Sequence, residues 1–208
     1  SGDDIEIYDC TLDKKPLTMV HTLRQQGVKP EGKPHYALAD FIAPKSSGIT
    51  DYLGFFAVTA GLGVEELVKK LDGDGDDYGA IMVKALADRL VEAFAEELHQ
   101  QVRTTHWGYG ADEKLNSNDL IQGKYRGIRP ASGYPSCPVH SETNTLFNIM
   151  QVTKNTTIEL SETGSMFPQA AVCGYYFAHP NARYFRVDAI SREQVDSYAE
   201  RKDMQIGR

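Results

Sequence analysis

From about Tyr78 to Arg103 the chain carries a pattern that only a long helix satisfies. Met82, Leu86, Leu90, Phe94, Leu98 and Val102 recur every fourth residue. Alanines widen that apolar row, while Glu, Gln and Arg occupy the remaining positions. Such a stripe is expected to pack on a sheet as core, and the domain has to be assembled around it. Upstream, Asp72-Gly73-Asp74-Gly75-Asp76-Asp77 looks like the start of a calcium loop. A calcium-binding loop needs Gly at its sixth position and Glu at its twelfth, which here are Asp77 and Val83. The run therefore reads as an acidic turn whose last aspartates cap the helix and favour its positive end. His99 and His106, seven apart, lack metal-ligand spacing on a helix and read as surface or packing residues.

The other elements are shorter. Asp4 to Tyr8 alternates polar and apolar residues, as a half-buried strand does. Asp13 to Pro16 turns the chain, Leu17 to Val20 suits a second strand, and His21 to Gln26 a short helical piece. Gly27 to Pro34 reads as an exposed connection. Tyr36 to Ala43 and Tyr52 to Thr59 are aromatic and branched runs that read as buried strands. Gly61-Leu62-Gly63 lacks the third glycine of a dinucleotide fingerprint, because Glu66 stands there, so it reads as a turn opening a helix over Val64 to Leu71. Asn116 or Ser117 caps a short helix from Asn118 to about Lys124, and Thr145 to Met150 is helical. Thr157 to Ser161, Ala171 to Ala178 and Arg183 to Asp188 read as strands, the last two joined as a hairpin through His179-Pro180-Asn181-Ala182. Ser191 with Gln194 offers a capping box for a final helix through Lys202. Strands in runs rather than strict βαβ alternation point to α+β: one domain, an antiparallel or mixed sheet, the long helix and shorter helices packed on it.

Composition narrows the function. A net charge of -7 disfavours nucleic acid or an anionic membrane as the main partner. No apolar run approaches the ~20 residues that span a bilayer. Three scattered cysteines, Cys10, Cys137 and Cys173, read as reduced thiols of a cytoplasmic protein.

Chemistry concentrates in Gly127 to His140, where three prolines and two glycines in fourteen residues rule out helix or central strand. A stiff loop of this kind holds binding groups in place. It carries Arg129, Tyr134, Cys137, His140 and free backbone groups, a set suited to a small ligand with a carboxylate, a flat ring and a positive centre. The planar fork of Arg129 matches a carboxylate, and the face of Tyr134 a cation. For an isolated arginine a structural role, tied to backbone carbonyls, would be the better bet, and Tyr134 could simply anchor the loop in the core. Cys137 and His140 have no second pair at zinc spacing and read as structural.

The run Arg129-Pro130-Ala131-Ser132-Gly133-Tyr134-Pro135-Ser136-Cys137-Pro138-Val139-His140 closely resembles the Arg-x-x-x-Gly-Tyr signature of the activation domain of cobalamin-dependent methionine synthase. Asp3 to Tyr8, Leu23 to Gln26, Leu38 to Pro44, Ile81 to Glu97 and Tyr184-Phe185 resemble the family in the same order. The resemblance thus covers nearly all of residues 1–208. It implies a module that binds S-adenosylmethionine through Arg129, Ala131 and Tyr134, with Tyr184, Phe185 and Glu92 at the same pocket. It also implies that this module supports reductive methylation of oxidised cobalamin within a methyltransferase of methionine biosynthesis. The expected partners are the cobalamin-binding domain of the same enzyme and a flavodoxin-like or flavoprotein reductase electron donor, and turnover by the isolated domain is not expected. By the same resemblance, residues 1–208 are expected to lack the N-terminal part of the family's domain, including an aspartate used against the ligand's amino group, and Gly123 stands where some relatives have an acidic residue. A reading from a different class is an interaction cap that docks on the cobalamin domain and redox partner, with ligand binding weak or lost.

Overall fold

The computed structural model describes residues 2–9 and 15–204, so Cys10 and the first half of the turn expected at Asp13 to Pro16 lie outside the described residues. Strands β1 (Asp4–Tyr8) and β2 (Pro16–His21) form an antiparallel pair, with Ile5 opposite Val20 and both buried. Strand β3 (Gly54–Thr59) leads into helix α1 (Val64–Gly73) and the long helix α2 (Asp77–Gln101). Short helices α3 (Ser117–Ile121), α4 (Glu142–Met150) and α5 (Val152–Asn155) follow. The small pair β4 (Glu159–Leu160) and β5 (Met166–Phe167) precedes β6 (Ala171–Tyr176), and helix α6 (Arg192–Arg201) comes last. The fold is α+β, and among the described residues its strands form three two-stranded antiparallel sheets, β1–β2, β3–β6 and β4–β5, rather than one larger sheet.

The pair β3–β6 is the centre. Phe56 and Val58 turn one face towards Ala87, Val91 and Ala95 of α2. The opposite face, with Phe55, Cys173 and Tyr175, meets a second apolar cluster that includes Leu38, Phe41, Leu146 and Ile158. Every residue of β6 is buried.

The long helix forms where its periodicity places it, with Asp76 accepting a bond from the Gly79 amide at 2.8 Å as its cap. Its orientation differs from expectation. Ala80, Ala87, Val91, Ala95 and His99 face inward, whereas Leu86, Leu90 and Phe94 are 55%, 60% and 48% exposed. Both rows, Leu86-Leu90-Phe94 and Ala87-Val91-Ala95, repeat every fourth residue, so periodicity does not choose between them. Size does: the small Ala87, Val91 and Ala95 let α2 lie close on the sheet, where the larger row would hold it off.

Three other expectations change. Tyr36 to Ala43 is not a strand: Leu38–Phe41 is one 3₁₀ turn, whose spacing buries Leu38 and Phe41 together. The Asp40 carboxylate closes that turn by accepting the Ala37 amide at 2.9 Å. Residues 22–26 are not helical, because their backbone bonds go to distant segments: Thr22 to Asp3, Gln25 to Tyr36 and Arg24 to the Gln194 side chain. Residues 183–188 run alongside the loop instead of returning against β6, with the Val187 amide on the Pro135 carbonyl at 2.8 Å and the Phe185 amide on Ser136 Oγ at 3.2 Å. Ser191 caps α6 as expected, but Gln194 bonds Arg24 while the Ser191 amide is taken by Gln26.

Candidate functional site

Residues 128–131 lie along the outer edge of β6. Ile128 exchanges backbone bonds with Phe177 at 3.0 Å, and the Tyr175 amide donates to the Pro130 carbonyl at 2.9 Å. This approach requires Gly174, where a Cβ would stand 2.4 Å from the Pro130 oxygen and 2.9 Å from the Ala131 Cα. The loop then doubles back through Gly133 (φ +87°), where a side chain would also strike the His140 ring. Arg129 is thereby fixed between β6 and the flank of α2.

A cleft of about 220 Å³ opens there, bounded by Arg129, Ala131, Tyr134, Tyr184, Glu92 and Glu96, with Phe56, Ala95 and Val172 as its apolar floor. Leu120, Ile121 and Tyr125 close the side nearest α3. The Arg129 guanidinium donates to Tyr125 Oη at 2.9 Å, lies 2.8 Å from a Glu96 carboxylate oxygen and 3.5 Å from His99 Nδ1. A guanidinium has five donors, so N–H groups remain for a ligand. Burial alone would favour loss of its proton, but Tyr184, Tyr125 and Glu96 outweigh that, and its pKa rises. Tyr184 fixes the backbone as well, its hydroxyl accepting the Arg129 amide at 3.0 Å.

Behind the guanidinium lies His99, wholly buried and stacked on Tyr176 with ring centroids 5.2 Å apart. Burial, with Arg103 and Arg129 nearby, drives its pKa down to about 2. The ring is therefore neutral. With Nδ1 turned to the Arg129 donor, Nε2 carries the proton towards Tyr109 Oη, 3.2 Å away. On the cleft's other side Tyr134 Oη donates to the Glu92 carboxylate, and burial followed by that carboxylate raises the tyrosine to about 12. One cation and two carboxylates thus frame an apolar floor, an arrangement suited to a zwitterionic ligand that also has a flat apolar part.

The family model described as vitamin B12 dependent methionine synthase, activation domain, matches residues 1–203. The chain belongs to this family. Among solved structures, a crystal structure of the MetH reactivation domain bound to AdoHcy is similar to it, at 50% identity and a TM-score of 0.92. That match covers 98% of this chain and 62% of the other, so this activation-domain chain spans less than two thirds of the solved relative's length.

Of the site residues expected from sequence, the activation-domain fold brings Arg129, Ala131, Tyr134, Tyr184 and Glu92 to one cleft. Phe185 is not among its lining. Its ring packs in the core beside Tyr36 and Phe41, at centroid distances of 6.0 and 6.2 Å. Adjacent residues on an extended segment point to opposite sides, so Tyr184 and Phe185 part company. Sequence reasoning missed Glu96, Tyr125 and His99. Glu96 was within reach, since it lies four residues after Glu92 on a helix and so shares its face. Tyr125 and His99 gave no signal of their own. Cys137 is buried, and burial pushes its thiol up to about 12, which keeps it protonated. Among the described residues no helix is long and apolar enough to cross a membrane, and no group of three or more His, Cys, Asp or Glu is placed to hold a metal ion.

Proposed function

We propose that the cleft beside Arg129 binds S-adenosylmethionine, and that the domain thereby supports reductive methylation of oxidised cobalamin in a longer methionine synthase. The observation that carries this reading is the pairing of a charged, held Arg129 with two carboxylates across an apolar floor, at 50% identity to a domain solved with AdoHcy. The fit extends to a polar detail: the second Glu96 oxygen is buried without a hydrogen-bond partner, and a cationic ligand group would answer it.

Arg129 takes the ligand carboxylate with its free N–H groups, and Tyr125, Glu96 and His99 hold the guanidinium so that little ordering is lost on binding. Glu92 and Glu96 offset the loss of water around the ammonium and sulfonium. Tyr134 and Tyr184 flank the ligand, and the small Ala131 admits it close to the backbone. S-adenosylmethionine held here would give up its methyl and leave as S-adenosylhomocysteine, and cobalamin on a neighbouring domain, once reduced by one electron from a flavodoxin-like or flavoprotein donor, would be the acceptor. The domain contributes proximity and exclusion of water, and no side chain needs to act as acid or base.

Calorimetric titration with S-adenosylmethionine tests the reading. Arg129→Ala is expected to weaken binding by about 2 kcal/mol or more, the cost of stranding buried charged partners. Unchanged affinity in a folded variant would remove Arg129 from the site. The chain is expected not to bind cobalamin tightly by itself, because it lacks the Asp-x-His-x-x-Gly run of cobalt-ligating modules. Tight binding seen by absorbance would misplace the cobalamin site.

A further inference from the structure

Past its last regular turn α2 widens. Val102–His106 is a single π-helical turn, in which the Trp107 amide donates to the Val102 carbonyl at 2.9 Å, five residues back. The turn carries Arg103, four residues after His99, with its side chain wholly buried. A buried cation has to be compensated. The Arg103 Nε donates to a Glu113 carboxylate oxygen at 2.8 Å. The rest of the guanidinium lies over the Tyr125 ring, its central carbon 4.2 Å from the ring centre. Among the described residues Nη1 and Nη2 have no hydrogen-bond partner, so the aromatic face is what answers that end of the cation.

Arg103 does not line the cleft, but the ring beneath it does. Tyr125 Oη is the atom that accepts from Arg129 Nη1 at 2.9 Å. Glu113 braces the same tyrosine from the backbone side, since its second oxygen accepts the amide of Arg126, the next residue, at 3.2 Å. One carboxylate therefore ties the cation over the ring to the peptide beside the ring. His99 meets that ring edge-on at 5.1 Å and leaves it less room to turn. Glu113, Arg103, Tyr125 and Arg129 thus form a connected series that starts outside the cleft and ends inside it.

We propose that Arg103 is a positioning residue for the ligand site: held by Glu113, it fixes the Tyr125 ring, and through the hydroxyl of that ring it sets the direction of the Arg129 guanidinium. The proposal rests on the reading in which Arg129 takes the ligand carboxylate. A two-bonded grip on a carboxylate is strict about direction, so a small turn of the guanidinium costs much of it. Without the Arg103 cation the ring can tilt into the space left behind, and Arg129 keeps only Glu96 and His99 as anchors. Its guanidinium then turns towards Glu96. The ligand carboxylate loses its partner, while the parts of the ligand that Arg129 does not hold lose little.

Two ligands separate this effect from general damage: S-adenosylmethionine, and its decarboxylated form, which keeps the adenine, sulfonium and amine but has no carboxylate. In calorimetric titrations Arg103→Met is expected to weaken binding of the first by ~10-fold and of the second by ~2-fold or less. Tyr125→Phe, which keeps the ring under the cation but removes the hydroxyl, is expected to show the same selective loss. The double variant should bind no worse than the weaker single one, because both changes act on one path. Arg103→Lys keeps the charge without the flat stacked group; it is expected to fall between, and it takes the place of Arg103→Met if that variant does not fold. Equal losses for the two ligands would make Arg103 a support of the fold only and overturn the proposal. Losses that add in the double variant would overturn it too. Arg129→Ala with the same two ligands checks the underlying reading. A selective loss there that is missing at Arg103 sinks the proposal alone, whereas equal weakening of both ligands by Arg129→Ala removes the carboxylate assignment and the proposal with it.

Discussion

His99 shows how one buried ring serves the cleft without touching its contents. It accepts from Arg129 only while neutral, and burial keeps it so with a pKa of about 2. Unfolded, the ring would titrate near 6.5. Below that pH the unfolded chain binds a proton that the folded chain refuses, so the contribution of His99 to stability is complete above about 6.5 and is lost as pH falls towards 2. Stability is expected to drop by up to roughly 1.4 kcal/mol per pH unit from this group between pH 6 and 4. Denaturation of His99→Gln over the same range is expected to show a shallower slope, and an equal slope would place the proton elsewhere. Gly174 carries a prediction of its own. Gly174→Ala sets a methyl 2.4 Å from the Pro130 oxygen, which must push the loop off β6. A loss of about 1–3 kcal/mol is expected, with weaker S-adenosylmethionine binding as Arg129 shifts.

Among the elements, α2 tests the difference between a helix's existence and its orientation. Leu90→Ala is expected to change stability by less than ~0.5 kcal/mol, because Leu90 is 60% exposed. Ala95→Leu is expected to cost about 1–3 kcal/mol by forcing α2 away from β3–β6. The reverse ranking in urea titrations would restore the larger row to the core. The helix was legible because its periodicity and Asp76 cap are local, as were β1, β2, β3, α1 and the Ser191 start of α6. Which face turns inward was not, since it depends on how near the sheet must come, and alanines give a weak hydrophobic signal. The 3₁₀ turn at Leu38–Phe41 was hidden because Tyr36 to Ala43 is equally apolar in either form, and Asp40 closing on Ala37 decides it. The cleft was legible through its loop, whose prolines and glycines stand together in sequence. Glu96, Tyr125 and His99 join it only once α2 and the loop meet.

For the molecule as a whole, the chain ends are fastened across large sequence separations. Arg24 and Gln194 exchange backbone-to-side-chain bonds at 2.8 and 3.0 Å, and Arg201 pairs with Asp4. Glu142, wholly buried on α4, accepts from Tyr198 at 3.0 Å and pairs with Lys202 just beyond α6. Lys202→Met leaves that carboxylate with the tyrosine alone and is expected to cost about 3 kcal/mol. Lys202→Met with Glu142→Gln should recover part of the loss, and a thermal melt of the three proteins decides it. The central sheet also carries its own optical label. Trp107, the chain's one tryptophan, meets Tyr109 edge-on at 5.2 Å, and its ring lies beside Gly54, where an added Cβ would be 3.2 Å from it. Indole emission depends on how wet and how crowded the ring is. The colour of this protein's fluorescence therefore reports on the first residue of β3 without any dye.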